Sequence, residues 1–66
     1  MEKTEIKNLK KGDFFKREIK GKPSAKVYIK GAYDKAEKAY LCTAYDDINE
    51  WLYIKPNKAV FYGFTF

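Results

Sequence analysis

The chain contains no histidine, and only one cysteine, one serine and one arginine. Without histidine, the commonest general base and the commonest metal ligand are both missing. A lone thiol, Cys42, can form neither an intrachain disulfide nor a cysteine-based metal site. Small secreted domains usually depend on disulfides, so a reducing compartment and a cytoplasmic location are expected. The four glycines, Gly12, Gly21, Gly31 and Gly63, are scattered, so there is no glycine-rich phosphate loop. No apolar run approaches the roughly 20 residues that cross a bilayer. Met1 to Lys11 also lacks the apolar segment of a signal peptide. A soluble protein with no membrane partner is the expectation.

Aromatic residues are abundant: six Tyr, five Phe and Trp51 make up 18% of the chain, within an apolar share of 45%. That content excludes a disordered tail. A length of 66 residues allows one domain, 1–66, which buries about 60% of the surface its unfolded chain exposes. Charge is uneven. Residues 1–30 carry ten basic and four acidic side chains, and residues 31–66 carry four basic and five acidic. The whole excess of +5 therefore comes from the N-terminal half, which points to a polyanionic partner or to a lysine-rich solvated face.

Turn residues divide the chain into short pieces. Ile6 and Leu9 suit one helical turn or an anchored lead-in, and Lys11-Gly12-Asp13 is a turn. Five strands are expected at 13–20, 25–33, 39–45, 49–55 and 59–66, separated by Gly21-Lys22-Pro23-Ser24, Asp34 to Lys38, Asp46-Asp47 and Pro56-Asn57. Val27 and Ile29 alternate with Lys26, Tyr28 and Lys30, a period of two. Gly31 marks a bulge or a strand end. A competing reading is a helix over Asp34–Tyr53, with Asp34 and Glu37 as a capping box and Ala36, Tyr40, Ala44, Ile48 and Trp51 or Leu52 at helical spacing. Against it stand the β-favouring Tyr, Thr, Ile and Trp residues and the Asp46-Asp47 break.

The fold expected is all-β: a small antiparallel five-stranded barrel or strongly curled meander, with connections too short for parallel crossovers. The expected core is Phe15, Val27, Ile29, Leu41 or Cys42, Leu52, Ile54 and Val60.

The segment Leu9-Lys10-Lys11-Gly12-Asp13-Phe14-Phe15 resembles the opening of SH3-like barrels, where a Leu-x-x-Gly-Asp-x-Phe or Val segment precedes the first strand. The chain as a whole is similar to short bacterial and phage proteins with this opening, a Tyr-Asp step (Tyr33-Asp34) and a Val-Phe-x-Gly-Phe ending (Val60 to Phe64). The resemblance implies the barrel and brings no biochemical role with it.

Candidate chemistry is sparse. Ser24 has only Lys22 and Lys26 as neighbouring bases and reads as a loop serine. Asp46, Asp47, Asn49 and Glu50 are a cluster of oxygen ligands, but they lack a calcium-loop pattern and suit turn capping. Cys42 reads as a small buried hydrophobe. Hence no enzyme, no catalytic residue, no cofactor and no metal are expected.

The pattern with functional character interleaves basic and aromatic residues. Lys16, Arg17, Lys26, Tyr28 and Lys30 are expected to form an exposed row that touches phosphates and stacks a base, giving sequence-independent binding of DNA or RNA. One arginine among fourteen basic residues disfavours base-specific readout. The alternative is a protein-interaction or regulatory module whose anchors are Trp51, Tyr53 and Phe61.

Overall fold

A computed structural model describes residues 1–64 as an all-β protein. Its strands are β1 (Glu2–Glu5), β2 (Phe14–Ile19), β3 (Lys22–Asp34), β4 (Ala39–Ala44), β5 (Asp47–Ile54) and β6 (Ala59–Tyr62), with a 3-10 turn at Ile6–Asn8. They form one antiparallel sheet in the order β1-β6-β2-β3-β4-β5. The antiparallel all-β class is the expected one. Of the two forms anticipated, the sheet takes the curled meander. Among the described residues β5 pairs only with β4 and β1 only with β6, so the sheet is not closed into a barrel. A cleft of about 120 Å³ remains where Leu52 to Lys55 approach Arg17, Glu18, Ala59 and Val60. The last strand ends at Tyr62, short of the expected 59–66, because Gly63 takes a positive φ (76°) and breaks it; the remainder of that expectation, residues 65–66, lies outside the described residues.

Local chemistry explains the connections. Lys20 (φ 52°) and Gly21 (φ 80°) both take positive φ, so β2 and β3 are joined by a two-residue turn of the mirror-image kind that suits strand twist. Asp34 Oδ1 accepts the N–H groups of Ala36 (2.8 Å) and Glu37 (3.2 Å). The capping chemistry read at Asp34 is real, but it closes the loop between β3 and β4. The competing helix over Asp34–Tyr53 is replaced by two strands. Lys58 N–H donates to Lys55 O (3.1 Å) around Pro56-Asn57, as expected for a turn.

Other boundaries also depart from expectation, and β5 takes in Asp47, read as part of a turn. β1 is a sixth strand, hidden in the polar Glu2-Lys3-Thr4-Glu5, whose backbone pairs with β6 from Glu2↔Tyr62 to Glu5↔Ala59. β3 also begins at Lys22, so Pro23 and Ser24 lie in the strand and not in a loop. Register shifts there, between Lys16 and Glu18. Ser24 Oγ accepts the Arg17 N–H (2.9 Å) and donates to Lys26 O (2.8 Å), so the hydroxyl supplies the ladder bond that the bulge interrupts. Further shifts occur between Lys30 and Tyr33 and between Thr43 and Ala44, and such bulges bend the sheet.

The core lies on the concave face and contains Ile6, Leu9, Phe15, Tyr28, Cys42, Ala44, Ile54 and Val60, with Tyr40, Leu52 and Tyr62 packed against it. Phe15, Cys42, Ile54 and Val60 are core residues as expected, and Leu52 is half-buried. Val27, Ile29 and Leu41 are also only half-buried, and on β3 the two faces are exchanged relative to expectation. Tyr28 is 5% exposed and Lys30 5%. The cause is size matching across strands. Tyr28 stacks on Phe15 (5.9 Å between centroids, 25° between planes) and pairs in register with the small Ala44, while Lys30 faces Cys42. A tyrosine ring buries more apolar area than valine or isoleucine, and its hydroxyl tolerates the core edge.

Candidate interaction surface

Of the expected basic-aromatic row, the structure leaves little exposed. Tyr28 is a core ring and Lys30 is buried beneath the Leu9 turn. The Lys30 ammonium donates to Leu9 O and sits 4.0 Å from the centroid of Tyr40. Burial pushes this amine below the ordinary lysine value, with Cys42 and Asp13 pulling the other way. A lysine that terminates a buried carbonyl and rests on a ring is a structural tie. Lys26 is exposed but pairs with Glu50, and that hydrogen bond raises its pKa. Lys16 is half-buried, 5.0 Å from the Phe64 ring. Arg17 is exposed at the cleft beside β5 and makes no side-chain ion pair or hydrogen bond among the described residues. The five residues therefore do not share one surface, because a bulge separates Lys16 from Glu18 and the β3 faces are exchanged.

The alternative set divides as well. Phe61 is half-buried on β6, between Lys3 and Lys16 in the register and 5.9 Å from the Lys3 ammonium. It lies away from Trp51 and Tyr53. Those two rings do meet, edge to face at 5.6 Å, and are 56% and 38% exposed on the outer face of β5. The Tyr53 hydroxyl donates to Asp34 Oδ2 (3.3 Å). Desolvation, and then the Asp34 carboxylate, raise the phenol's pKa.

Around these rings the exchanged face of β3 adds Ile29, expected in the core, to an outward-facing row. The register runs Phe14↔Ile29, Ile29↔Thr43 and Thr43↔Trp51, so one apolar row crosses four strands on the convex face. Tyr45 meets Phe14 edge to face at 5.5 Å beside it. Ile48 should point inward by its spacing from Leu52 and Ile54. The irregular register between Thr43 and Ala44 instead turns it out, where it is 82% exposed. Leu41, Thr43, Ile48, Trp51 and Tyr53 line a shallow recess of about 270 Å³. Sequence reasoning does not find Phe14 and Ile48 as exposed rim residues or Ile29 and Thr43 as the half-buried middle of the row. The one signal for them was the surplus of apolar residues on both faces of β3 to β5.

The acidic cluster behaves as turn chemistry. Asp47 Oδ1 accepts the Asn49 N–H (3.0 Å), and Glu50 is held by Lys26. Among the described residues no three Cys, Asp or Glu side chains gather as metal ligands, and no helix is long and apolar enough to cross a membrane. No protein-family model, curated protein or solved structure matches the chain.

Proposed function

We propose that this protein is a small interaction module that binds another polypeptide through the convex face of β3 to β5. The observation that carries this reading is the row Phe14–Ile29–Thr43–Trp51, half-buried in the middle and exposed at its Phe14 and Trp51 ends, with exposed Ile48 and Tyr53 beside it. Contiguous apolar surface that a small domain leaves in water marks an interaction site. Trp and Tyr are the side chains that most often anchor one.

The test uses the intact chain with a photo-crosslinking side chain at Ile48. Adducts with polypeptide, whether foreign or a second copy, are expected from this position. They should be lost on Trp51→Ala and kept on Lys26→Ala. Electrophoretic mobility with labelled DNA and RNA supplies the opposing arm. Binding at about 50 mM salt that weakens steeply as salt rises, with no polypeptide adduct, would overturn the reading in favour of nucleic acid.

A further inference from the structure

The two edges of the sheet are built differently. β1 is four residues long and alternates Glu2, Lys3, Thr4 and Glu5, with Lys3 paired to Glu18 and Glu5 to Lys7. Short, charged edges resist the addition of another strand. β5 is eight residues long, and from Trp51 to Ile54 it has no charge, proline or glycine. Its backbone is also turned the right way. Lys30 N–H donates to Asp13 O (3.0 Å) and Lys30 O accepts Gly12 N–H (2.8 Å), so both Lys30 backbone groups face β2. Backbone groups alternate along antiparallel strands, so Cys42, opposite Lys30, directs its pair toward Leu52 on β5. The N–H and C=O of Trp51 and Tyr53 then point away from β4, those of Tyr53 beside the cleft that Arg17, Glu18, Ala59 and Val60 line.

The charges near this strand name its occupant. Asp47 and Lys55 stand four residues before and after Trp51. A second β5 laid antiparallel about a two-fold axis at Trp51 brings each Asp47 opposite the other copy's Lys55, just past the strand's end, and each Asn49 opposite the other copy's Tyr53. Lys55 then exchanges its bond to Glu37 O (2.9 Å) for the carboxylate, while the Asn49 N–H stays with Asp47 Oδ1 (3.0 Å) and leaves the Trp51 pair and the Tyr53 N–H to make the ladder. Trp51 meets its own symmetry mate, and the apolar row doubles across the axis. A two-fold interface must complement itself, and this segment does so in charge at its two ends, in the backbone at Trp51 and in apolar surface.

We infer that the chain forms a homodimer by antiparallel pairing of β5 with β5. This rests on the reading of the convex face as an interaction surface and specifies its partner as a second copy.

The experiment is sedimentation equilibrium of the full chain, with amide exchange measured at several concentrations. The expected mass rises toward twice 7.8 kDa with concentration, and the Trp51 and Tyr53 amides become protected in step with it. Lys55→Asp sets like charges opposite each other twice per dimer, so its dissociation constant should rise about tenfold. Asp47→Lys added to it should restore the wild-type constant. Circular dichroism confirms that each variant is folded, and Trp51→Ala serves as a second disrupting variant if Asp47→Lys unsettles its turn. A monomer up to about 1 mM overturns the dimer, as does a dimer indifferent to the swap or one with unprotected Trp51 and Tyr53 amides. A monomer that still crosslinks a foreign polypeptide through Ile48 fails the self-pairing and leaves the broader reading standing. A monomer with no adduct fails both.

Discussion

Tyr28 lies between Phe15 on β2 and Ala44 on β4, stacked on the first and given room by the second. Its neighbour Ile29 faces the other way, between Phe14 and Thr43, and is half-buried. The two residues should therefore respond to truncation in the order opposite to their hydropathy. Tyr28→Ala removes a buried ring and should cost about 3–5 kcal/mol, in the range of large aromatic truncations. Ile29→Ala should cost about 1 kcal/mol, because much of its surface is already wet. Urea unfolding of both variants measures the difference, and equal losses would place both faces of β3 in the core. Lys30 follows the same logic: its stem fills space opposite Cys42, and its ammonium satisfies Leu9 O.

At the scale of the elements, the curl of the sheet is concentrated at bulges, and one of them depends on Gly31. A Cβ built there would stand 2.2 Å from the Leu41 carbonyl oxygen, a backbone atom of the paired strand. The strands can approach so closely only because position 31 has no side chain. Gly31→Ala should cost about 3 kcal/mol, the upper range for overpacking, and should shift the amide resonances of Leu41 and Cys42. Gly21→Ala supplies the contrast. Its φ is +80° but nothing lies within 4 Å of the added carbon, so only conformational strain is introduced. A loss of about 1–2 kcal/mol is expected there, with resonance changes confined to the hairpin.

The molecule as a whole places its charge asymmetry among many small contacts. The basic N-terminal half is drawn into pairs with Glu5, Glu18 and Glu50 and into contacts with Phe61, Phe64 and Tyr40. At its centre Cys42 is fully buried, and burial pushes its thiol from 9.0 up to about 11, against the Gly31 N–H and Lys30, which favour the thiolate. Folding raises this value, so the thiol favours the folded state fully below about pH 9. That advantage drains away as pH climbs through about 11. Thiol-specific labelling at pH 8 should therefore proceed only through opening of the fold. The stability gap between the wild-type chain and Cys42→Ala should be narrower at pH 10 than at pH 7. Rapid labelling of the native protein would show that the core is open at β4.

Several features follow from the residues alone. The all-β class, the five expected strands in outline, the turns at Gly21, Asp34 and Pro56, the Gly31 bulge and the buried Cys42 rest on turn chemistry and on an alternation that acts over a few neighbouring residues. Trp51 and Tyr53 as surface rings were legible for a similar reason: the chain has more aromatic residues than so small a core can hide. The tertiary structure alone decided which face of β3 points inward. Alternation with period two defines two faces but carries no sign. The sign came from Phe15 beside Tyr28 and from Ala44 and Cys42 opposite, contacts between strands distant in sequence. The same holds for β1, a polar segment made into a strand by the free backbone of β6, and for Ile48, turned outward by an irregular register. The basic row dissolved and the apolar one formed because strand pairing, which no local pattern encodes, determines what each side chain faces.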